Sequence, residues 1–345
     1  MRGPVTKVAV IGAGSWGTTI ASVLRSRVET TIWARNADVA AEISALHTNR
    51  AYLAERALHP SLRSTTDMAE ALDDATVVVV AVPSHGLRST LSTAGAFPKT
   101  GVPVLSLSKG LEQTTDARMS EVISAVWPGR PVGALTGPNL AEEVFDGQPT
   151  ASVIAIADES LGRELQELFS TDRLRIYTNP DLVGCEISGV VKNVMAIACG
   201  MAVGLGYGDN TRAALITRAL AELTRLGEAL GGEQRTFAGL AGVGDLVATC
   251  TSRKSRNLRV GIALGEGRAL ADAMGGRSVA EGVRSSRPVV DLAVRCGVEV
   301  PVAEQVAAVC FEGHTPLAGV ASLMGRAPRA EFDDDDRRAS PGSSA

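Results

Sequence analysis

A lysine and an asparagine stand in the middle of the small and apolar run SGVVKNVMAIACG, residues 188–200. If this run forms a helix, Lys192 shares a face with Ser188 and Cys199, among small and apolar side chains. Burying an unpaired ammonium group is costly, and lysines are almost never fully buried without a partner. We therefore expect Lys192 to have an acidic partner in a buried site.

A second unusual segment is GLAGVGDLVATCTSRKSRN, residues 239–257, in which Asp245 is the one acid among glycines and apolar residues. A buried carboxylate needs a partner as much as a buried lysine does, so we predict that Asp245 and Lys192 share a site. The basic turn that follows, residues 251–257, suits phosphate binding, for which bidentate arginine is well adapted. The alternative is that this turn is simply solvated.

Three glycines follow the first apolar run in VAVIGAGSWG, with the spacing Gly12-x-Gly14-x-x-Gly17. The first glycine allows a tight turn, the second lets a pyrophosphate approach the backbone, and the third lets helix and strand pack closely. The start of the helix offers free N–H groups to phosphates. The pattern predicts dinucleotide binding, the alternative being a glycine turn in an unrelated α/β fold.

The residue at the end of the second strand distinguishes the dinucleotides. NAD-specific sites usually carry an acid there for the ribose hydroxyl, whereas this chain has Ala34, Arg35 and Asn36. An arginine suits a 2′-phosphate, so the sequence favours NADPH and leaves NADH open. The alternative reading is that Arg35 only stacks on the adenine.

Two polar segments follow neighbouring strand-like runs. SLSKG places Lys109 just after one run, and TGPN, residues 136–139, follows the next. Ligands bind at the carboxyl ends of parallel strands. We expect a ligand site at this edge of the sheet, although Lys109 taken alone reads as a solvated loop lysine.

The elements that must position these residues change halfway along the chain. Near-continuous Val/Ile runs between helices indicate strands that are buried on both faces of a parallel, doubly wound sheet. After about residue 184 the strand-like runs stop. Strands are predicted at 7–12, 30–35, 75–83, 103–110, 131–138 and 150–158, and later helices at 185–204, 211–230, 255–273, 285–296 and 301–311.

These patterns predict an α/β Rossmann-type domain with a mainly parallel sheet over residues 1–184, and an all-α domain over 185–328. An acidic tail over 329–345 is predicted to be disordered.

Aromatic residues make up 3% of the chain and the net charge is −4, which argues against nucleic acid as a partner. The five cysteines form no CxxC pair, which argues against zinc and suits a cytoplasmic protein. No apolar run is expected to reach the roughly 18 residues that span a bilayer.

Several motifs in this order resemble those of the soluble, bacterial NAD(P)-dependent glycerol-3-phosphate dehydrogenases. They are GAGSWGT, SLSKGLE, GPNLAEEV, SGVVKNVMAIACGM, GLAGVGDLVATC, SRN and VAEGV. HTNRAYL also looks like an insert of that family after the second helix. The resemblance extends over about residues 5 to 325.

The resemblance implies a role for individual residues. It implies that Lys192 is the proton donor and acceptor, with Asp245, Lys109 and Asn193 in the catalytic site and Thr249 as a further candidate. The implied cofactor contacts are Gly12, Gly14, Ser15, Trp16, Gly17, Arg35, Lys109, Ala141, Arg256, Val279 and Glu281. The implied substrate contacts are Lys109, Gly137, Asn139, Lys192, Asp245, Ser255, Arg256 and Asn257. Asn139 departs from the family, in which many members carry Thr or Ser.

The reaction implied is the interconversion of dihydroxyacetone phosphate and sn-glycerol 3-phosphate, for phospholipid synthesis, with NADPH or NADH as cofactor. A cytoplasmic homodimer without metal and without membrane insertion is the implied form.

Another two-domain NADPH-dependent ketone or hydroxyacid reductase would explain Lys192 but not the segment at 239–257. A dinucleotide-sensing protein without turnover would explain the glycine loop but leave Lys192, Asp245 and Lys109 unexplained.

Overall fold

The computed structural model describes residues 5–93, 98–275, 280–327 and 331. The chain divides into two compact units, residues 1–182 and 183–345. The acidic tail that was predicted at 329–345 lies outside the described residues, apart from Glu331.

The first unit is built on an eight-stranded sheet with the order β3-β2-β1-β4-β5-β6-β7-β8. Neighbouring strands are parallel except β6 and β7, which are antiparallel. This is the predicted doubly wound, mainly parallel sheet. The strands are β1 (Lys7–Ile11), β2 (Glu29–Trp33), β3 (Arg63–Thr65), β4 (Val77–Val80), β5 (Val104–Ser106), β6 (Val132–Thr136), β7 (Thr150–Ala155) and β8 (Leu174–Asn179).

Helices cover both faces of this sheet. Alternate residues of β1 contribute to two separate cores: Val8 and Val10 pack with one group of helices, and Ala9 and Ile11 with another. Both faces of the strand are therefore buried, which is why these strands read as continuous apolar runs. The helices are α1 (Ser15–Arg25), α2 (Ala37–Leu46), α3 (Arg50–Leu53), α4 (Met68–Leu72), α5 (Leu87–Thr93), α6 (Met119–Val126), α7 (Ala141–Phe145) and α8 (Glu159–Phe169).

Two strands were not predicted, and each has a physical reason. β3 has three residues, too few for a periodic signal. In β8, exposed Arg175 and Tyr177 alternate with buried Leu174 and Ile176, as suits an edge strand with one buried face. That alternation differs from the continuous apolar runs from which the other strands were predicted.

The second unit contains only helices among its described residues, as predicted. These are α9 (Leu182–Gly204), α10 (Asp209–Ala229), α11 (Gln234–Phe237), a π-helical turn (Leu240–Gly244), α12 (Asp245–Thr251), α13 (Arg256–Gly265), α14 (Leu270–Met274), α15 (Glu281–Cys296), α16 (Pro301–Phe311) and α17 (Pro316–Met324). The prediction of a single helix over 255–273 was wrong, because two helices, α13 and α14, occupy this range. The chain leaves helical geometry between α13 and α14, where Gly267 has a φ of +85°.

Helix α9 is the apolar core helix of this unit. A glycine pair on α9, Gly200 and Gly204, faces a second pair on α13, Gly261 and Gly265, so closely that a Cβ on any of them would overlap the other backbone. Contrary to the sequence-based expectation, α9 is long and apolar enough to cross a membrane, alone among the described helices. However, 89% of its most apolar 18-residue window is buried within the protein, as in a core helix.

Candidate active site

Of the three glycines in the loop between β1 and α1, one has free space where a side chain would lie and two do not. Gly12 has a φ of +116°, and a Cβ there would lie 2.6 Å from the carbonyl oxygen of Ala81. A Cβ on Gly17 would overlap the carbonyl oxygen of Gly12, whereas a Cβ on Gly14 would meet nothing within 4 Å. The space is thus left at the one glycine that a pyrophosphate must approach, so the loop fits a dinucleotide.

Four other predicted cofactor contacts lie around this loop or beyond β2. The Ser15 hydroxyl donates to the carbonyl of Tyr52 at 3.0 Å, and Trp16 is half-buried at the start of α1. The carbonyl of Ala141 accepts from the Thr19 hydroxyl at 3.3 Å, which places the start of α7 against α1. Arg35 is exposed, two residues beyond the end of β2.

Lys109, Gly137 and Asn139 are brought together at the carboxyl ends of β5 and β6. The Lys109 Nζ donates to the Gly137 carbonyl at 3.1 Å and to the Asn139 Oδ1 at 3.0 Å. Because Oδ1 faces the ammonium group, the amide of Asn139 turns its Nδ2 elsewhere, and this buried atom has no hydrogen-bond partner among the described residues. A buried, unused N–H donor beside a lysine suits an oxygen-rich ligand.

In the second unit, Lys192 and Asp245 lie together, as predicted. The Lys192 Nζ is 3.1 Å from the Asp245 Oδ1, and the two side chains are 7% and 3% exposed. Lys192 also donates to the Thr249 Oγ1 at 2.7 Å, and that hydroxyl in turn donates to the Asp245 carbonyl, also at 2.7 Å. The buried ammonium group is therefore paired and hydrogen-bonded.

The local sequence explains how Asp245 reaches α9. The π-helical turn Leu240–Gly244 runs directly into α12, which begins at Asp245. A Cβ on Gly242 would overlap the backbone of Phe237, so only glycine allows the turn to fold this tightly. Asp245 and Thr249 are four residues apart and thus share a face of α12.

Two cysteines lie close to this cluster. A hydrogen bond with Cys199 and burial hold the pKa of the Cys250 thiol well above its usual range. Both residues are buried. Cys250 is thus a protonated thiol at neutral pH and an unsuitable nucleophile.

A chain of amide hydrogen bonds runs through Asn193 and Asn257. The Gly282 N–H donates to the Asn257 Oδ1 at 3.0 Å, the Asn257 Nδ2 donates to the Asn193 Oδ1 at 2.9 Å, and the Asn193 Nδ2 donates to the Gly189 carbonyl at 3.1 Å. Each link fixes the orientation of the next amide, so the second N–H of each asparagine remains for other acceptors. Gly282 was not predicted to contribute, because a backbone donor leaves no signal in the sequence.

The remaining candidates lie at the starts of α13 and α15. Ser255 caps α13 by accepting from the Leu258 N–H at 3.3 Å, and exposed Arg256 is the first residue of that helix. Glu281 is the first residue of α15. Val279 lies outside the described residues. No group of three or more His, Cys, Asp or Glu that could hold a metal occurs among the residues the structure describes.

Comparison with known families gives one consistent result for both units. Residues 7–162 match the sequence model of the N-terminal part of NAD-dependent glycerol-3-phosphate dehydrogenase. Residues 181–321 match the model of the C-terminal part of the same family. Together these two matches extend over most of the chain.

Individual relatives are similar over nearly their full length. A glycerol-3-phosphate dehydrogenase [NAD(P)+] 2 of Sphingopyxis alaskensis is 53% identical over 301 residues, 87% of this chain and 90% of the relative. The Mycobacterium avium glycerol-3-phosphate dehydrogenase [NAD(P)+] is 46% identical, over 96% of this chain and 97% of the relative. The crystal structure of the Coxiella burnetii glycerol-3-phosphate dehydrogenase superposes with a TM-score of 0.89 at 35% identity, over 93% of this chain and 99% of that one.

Proposed function

The chain belongs to the NAD-dependent glycerol-3-phosphate dehydrogenase family, and on this basis we propose that it reduces dihydroxyacetone phosphate to sn-glycerol 3-phosphate with NADPH or NADH. The observation that carries the proposal is the buried Lys192–Asp245–Thr249 cluster. A reductase needs a proton donor for the oxygen of its ketone, and this cluster offers one.

The chemistry divides between the cofactor and the protein. A nicotinamide dinucleotide held at the loop of Gly12, Gly14 and Gly17 would supply the hydride for the ketone carbon, and negative charge would then develop on the ketone oxygen. The Lys192 ammonium stabilises that charge and donates its proton to the oxygen, giving the alcohol. In the reverse direction, neutral Lys192 accepts the alcohol proton. Asp245 stabilises the charged form of the lysine, and Thr249 restricts where its Nζ lies.

Amide and guanidinium groups account for binding of the phosphate substrate. The oriented amides of Asn193 and Asn257 keep N–H donors for substrate oxygens. Arg256, exposed at the start of α13, supplies a fork of donors to a phosphate, and Ser255 holds the helix start in place. Lys109 and the unused Nδ2 of Asn139 offer further donors in the first unit, with Gly137 beside them.

NADPH is the proposed preferred cofactor, with NADH also accepted. Arg35 is exposed just beyond β2, where a 2′-phosphate would lie, and its neighbours in the sequence, Ala34 and Asn36, carry no negative charge to repel that phosphate. Ser15, Trp16, Ala141 and Glu281 are the proposed additional contacts.

We propose a cytoplasmic homodimer that supplies phospholipid synthesis and neither inserts into membranes nor binds nucleic acid. None of the five cysteines, all of which the structure describes, forms a disulfide bond, which suits a reducing compartment. The second unit exposes several large apolar side chains that an interface would cover, namely Val294, Phe311, Leu317 and Met324.

The test is the absorbance at 340 nm of purified protein with dihydroxyacetone phosphate and either NADPH or NADH. We expect rapid oxidation of both cofactors and a faster rate with NADPH. Arg35→Asp should reverse that preference. A folded protein that binds NADPH but oxidises it only with another substrate, such as ketopantoate, would overturn the substrate assignment.

A further inference from the structure

The segment between α2 and β3, residues 47–62, lies along helix α1 from its first turn to its last. This segment, which we call the α1 strap, includes the HTNRAYL motif, to which the proposed function gives no role. Besides the bond from Ser15 to Tyr52, the His59 N–H donates to the Ser22 hydroxyl at 3.0 Å. The Arg25 Nε donates to the Ser61 carbonyl, also at 3.0 Å.

Asn49 makes the most buried of these contacts. Its side chain is fully buried, and its Nδ2 donates to the Ala13 carbonyl at 3.0 Å and to the Thr18 Oγ1 at 2.9 Å. The Oδ1 is buried without a hydrogen-bond partner among the described residues. Because the Ala13 carbonyl can only accept, the amide must present its nitrogen to the loop. Both N–H groups of the Asn49 side-chain amide thus donate hydrogen bonds, one to the glycine loop and one to the first turn of α1.

The bond to Ala13 determines which way the next N–H group points. The described peptide bonds are all trans, so the carbonyl of Ala13 and the N–H of Gly14 point in opposite directions. Since the carbonyl faces Asn49, the Gly14 N–H points away from the strap. The carbonyl of Gly14 accepts from the Thr18 N–H at 2.9 Å, so the Ser15 N–H also points out of the helix start.

Gly14 is also the position where a Cβ would meet nothing within 4 Å. The Gly14 N–H, which Asn49 orients, and the Ser15 N–H, which the first helical hydrogen bond orients, are therefore adjacent to open space at the start of an 11-residue helix. We propose that Asn49 is a positioning residue for the cofactor: it holds the Ala13–Gly14 peptide so that backbone N–H groups bind the pyrophosphate of a dinucleotide. The proposal rests on the proposed function only for the class of cofactor.

The first test measures the direct binding of NADPH through the change in its fluorescence, with no substrate present. Asn49→Ala is expected to raise the Kd for NADPH about tenfold, because the loop loses the bond that orients its N–H groups. At saturating NADPH, kcat and the KM for dihydroxyacetone phosphate should stay within about twofold of wild type. The protection from hydrogen exchange that bound NADPH gives to the Gly14 and Ser15 N–H groups should be smaller than in wild type.

Ser44→Ala is the matched control. Ser44 makes two comparable side-chain hydrogen bonds in the same unit, donating to the Ser64 carbonyl at 3.1 Å and accepting from its N–H at 2.9 Å. It contacts β3 and not the glycine loop. The Kd for NADPH should therefore be unchanged in this variant.

Asn49→Asp gives a second, nearly isosteric variant that keeps the core filled. A carboxylate facing the Ala13 carbonyl repels it, so binding of NADP⁺ at pH 8 should be weaker than in Asn49→Ala. The introduced carboxyl group can donate a hydrogen bond only when it is protonated. The affinity of Asn49→Asp relative to wild type should therefore recover as the pH falls toward about 5.

Two results would overturn the proposal. One is a folded Asn49→Ala that binds NADPH within about twofold of wild type; the other is an equal loss of affinity in Ser44→Ala. A wild-type protein that binds NADPH but does not reduce dihydroxyacetone phosphate would refute the proposed substrate and leave this binding test intact.

Discussion

At the scale of single residues, the site depends on how a buried charge is satisfied. Lys192 has an ion-pair partner in Asp245 and a hydroxyl acceptor in Thr249, so its ammonium group is stable in a position that water hardly reaches. Removing one partner of a buried pair leaves the other uncompensated, which costs more than the pair itself contributes.

Lys192→Met is expected to lower kcat by about 10³-fold, because the proposed proton donor is removed. It should also lower the free energy of unfolding by about 3 kcal/mol, because the buried Asp245 carboxylate loses the cation that compensates its charge. Urea unfolding and steady-state rates measure the two effects separately. The double variant Lys192→Met, Asp245→Asn should regain stability but not turnover. Lys99→Met, at the exposed ion pair with Asp74, is the control and should change neither.

At the scale of elements, two helices hold the proposed catalytic groups in register through glycine contacts. Helix α9 carries Lys192 and Asn193, and α13 carries Asn257. Gly261 on α13 lies so close to the Ile197 carbonyl on α9 that a Cβ would overlap it. The close approach places Asn257 within hydrogen-bonding distance of Asn193.

Gly261→Ala should therefore separate the two helices. We expect a loss of about 3 kcal/mol in the free energy of unfolding, together with weaker binding of dihydroxyacetone phosphate as Asn257 moves away from Asn193. Gly208→Ala is the matched control, because a Cβ at Gly208 would meet nothing within 4 Å. Equal stability of the two variants would contradict the role given to this contact.

At the scale of the whole molecule, one buried acid sets a pH dependence of stability. Glu222 on α10 is 1% exposed and accepts from the Val302 and Ala303 N–H groups at 2.7 and 3.2 Å, which caps the start of α16. Burial raises the pKa of Glu222 from 4.5 to about 7, although these hydrogen bonds oppose the shift. Between those values the folded chain holds a proton that the unfolded chain has released.

Glu222 should therefore make the protein less stable as the pH rises from 4.5 to about 7, by about 3 kcal/mol in total, with no further change above that range. Glu222→Gln should flatten this part of the stability profile, which urea unfolding at about pH 5 and pH 8 would measure. Glu312→Gln, at the exposed C-terminal end of α16, should keep the slope of wild type. Parallel profiles for wild type and Glu222→Gln would refute the assignment.

The sequence alone determined the features whose signals are local. The glycine spacing at Gly12, Gly14 and Gly17 predicted the loop before α1, and continuous Val/Ile runs predicted the inner strands. The pairing of Lys192 with Asp245 was also predictable, because each is a charge within an apolar segment and each requires a partner.

Only the tertiary structure decided the features that depend on contacts between distant segments. The antiparallel pairing of β6 with β7, the edge strand β8 and the break between α13 and α14 follow from packing, since local propensity does not distinguish them. The bond from Asn49 to Ala13 joins residues 36 positions apart. A motif such as HTNRAYL shows that an asparagine is present, but which carbonyl its amide reaches depends on how the chain folds back on helix α1.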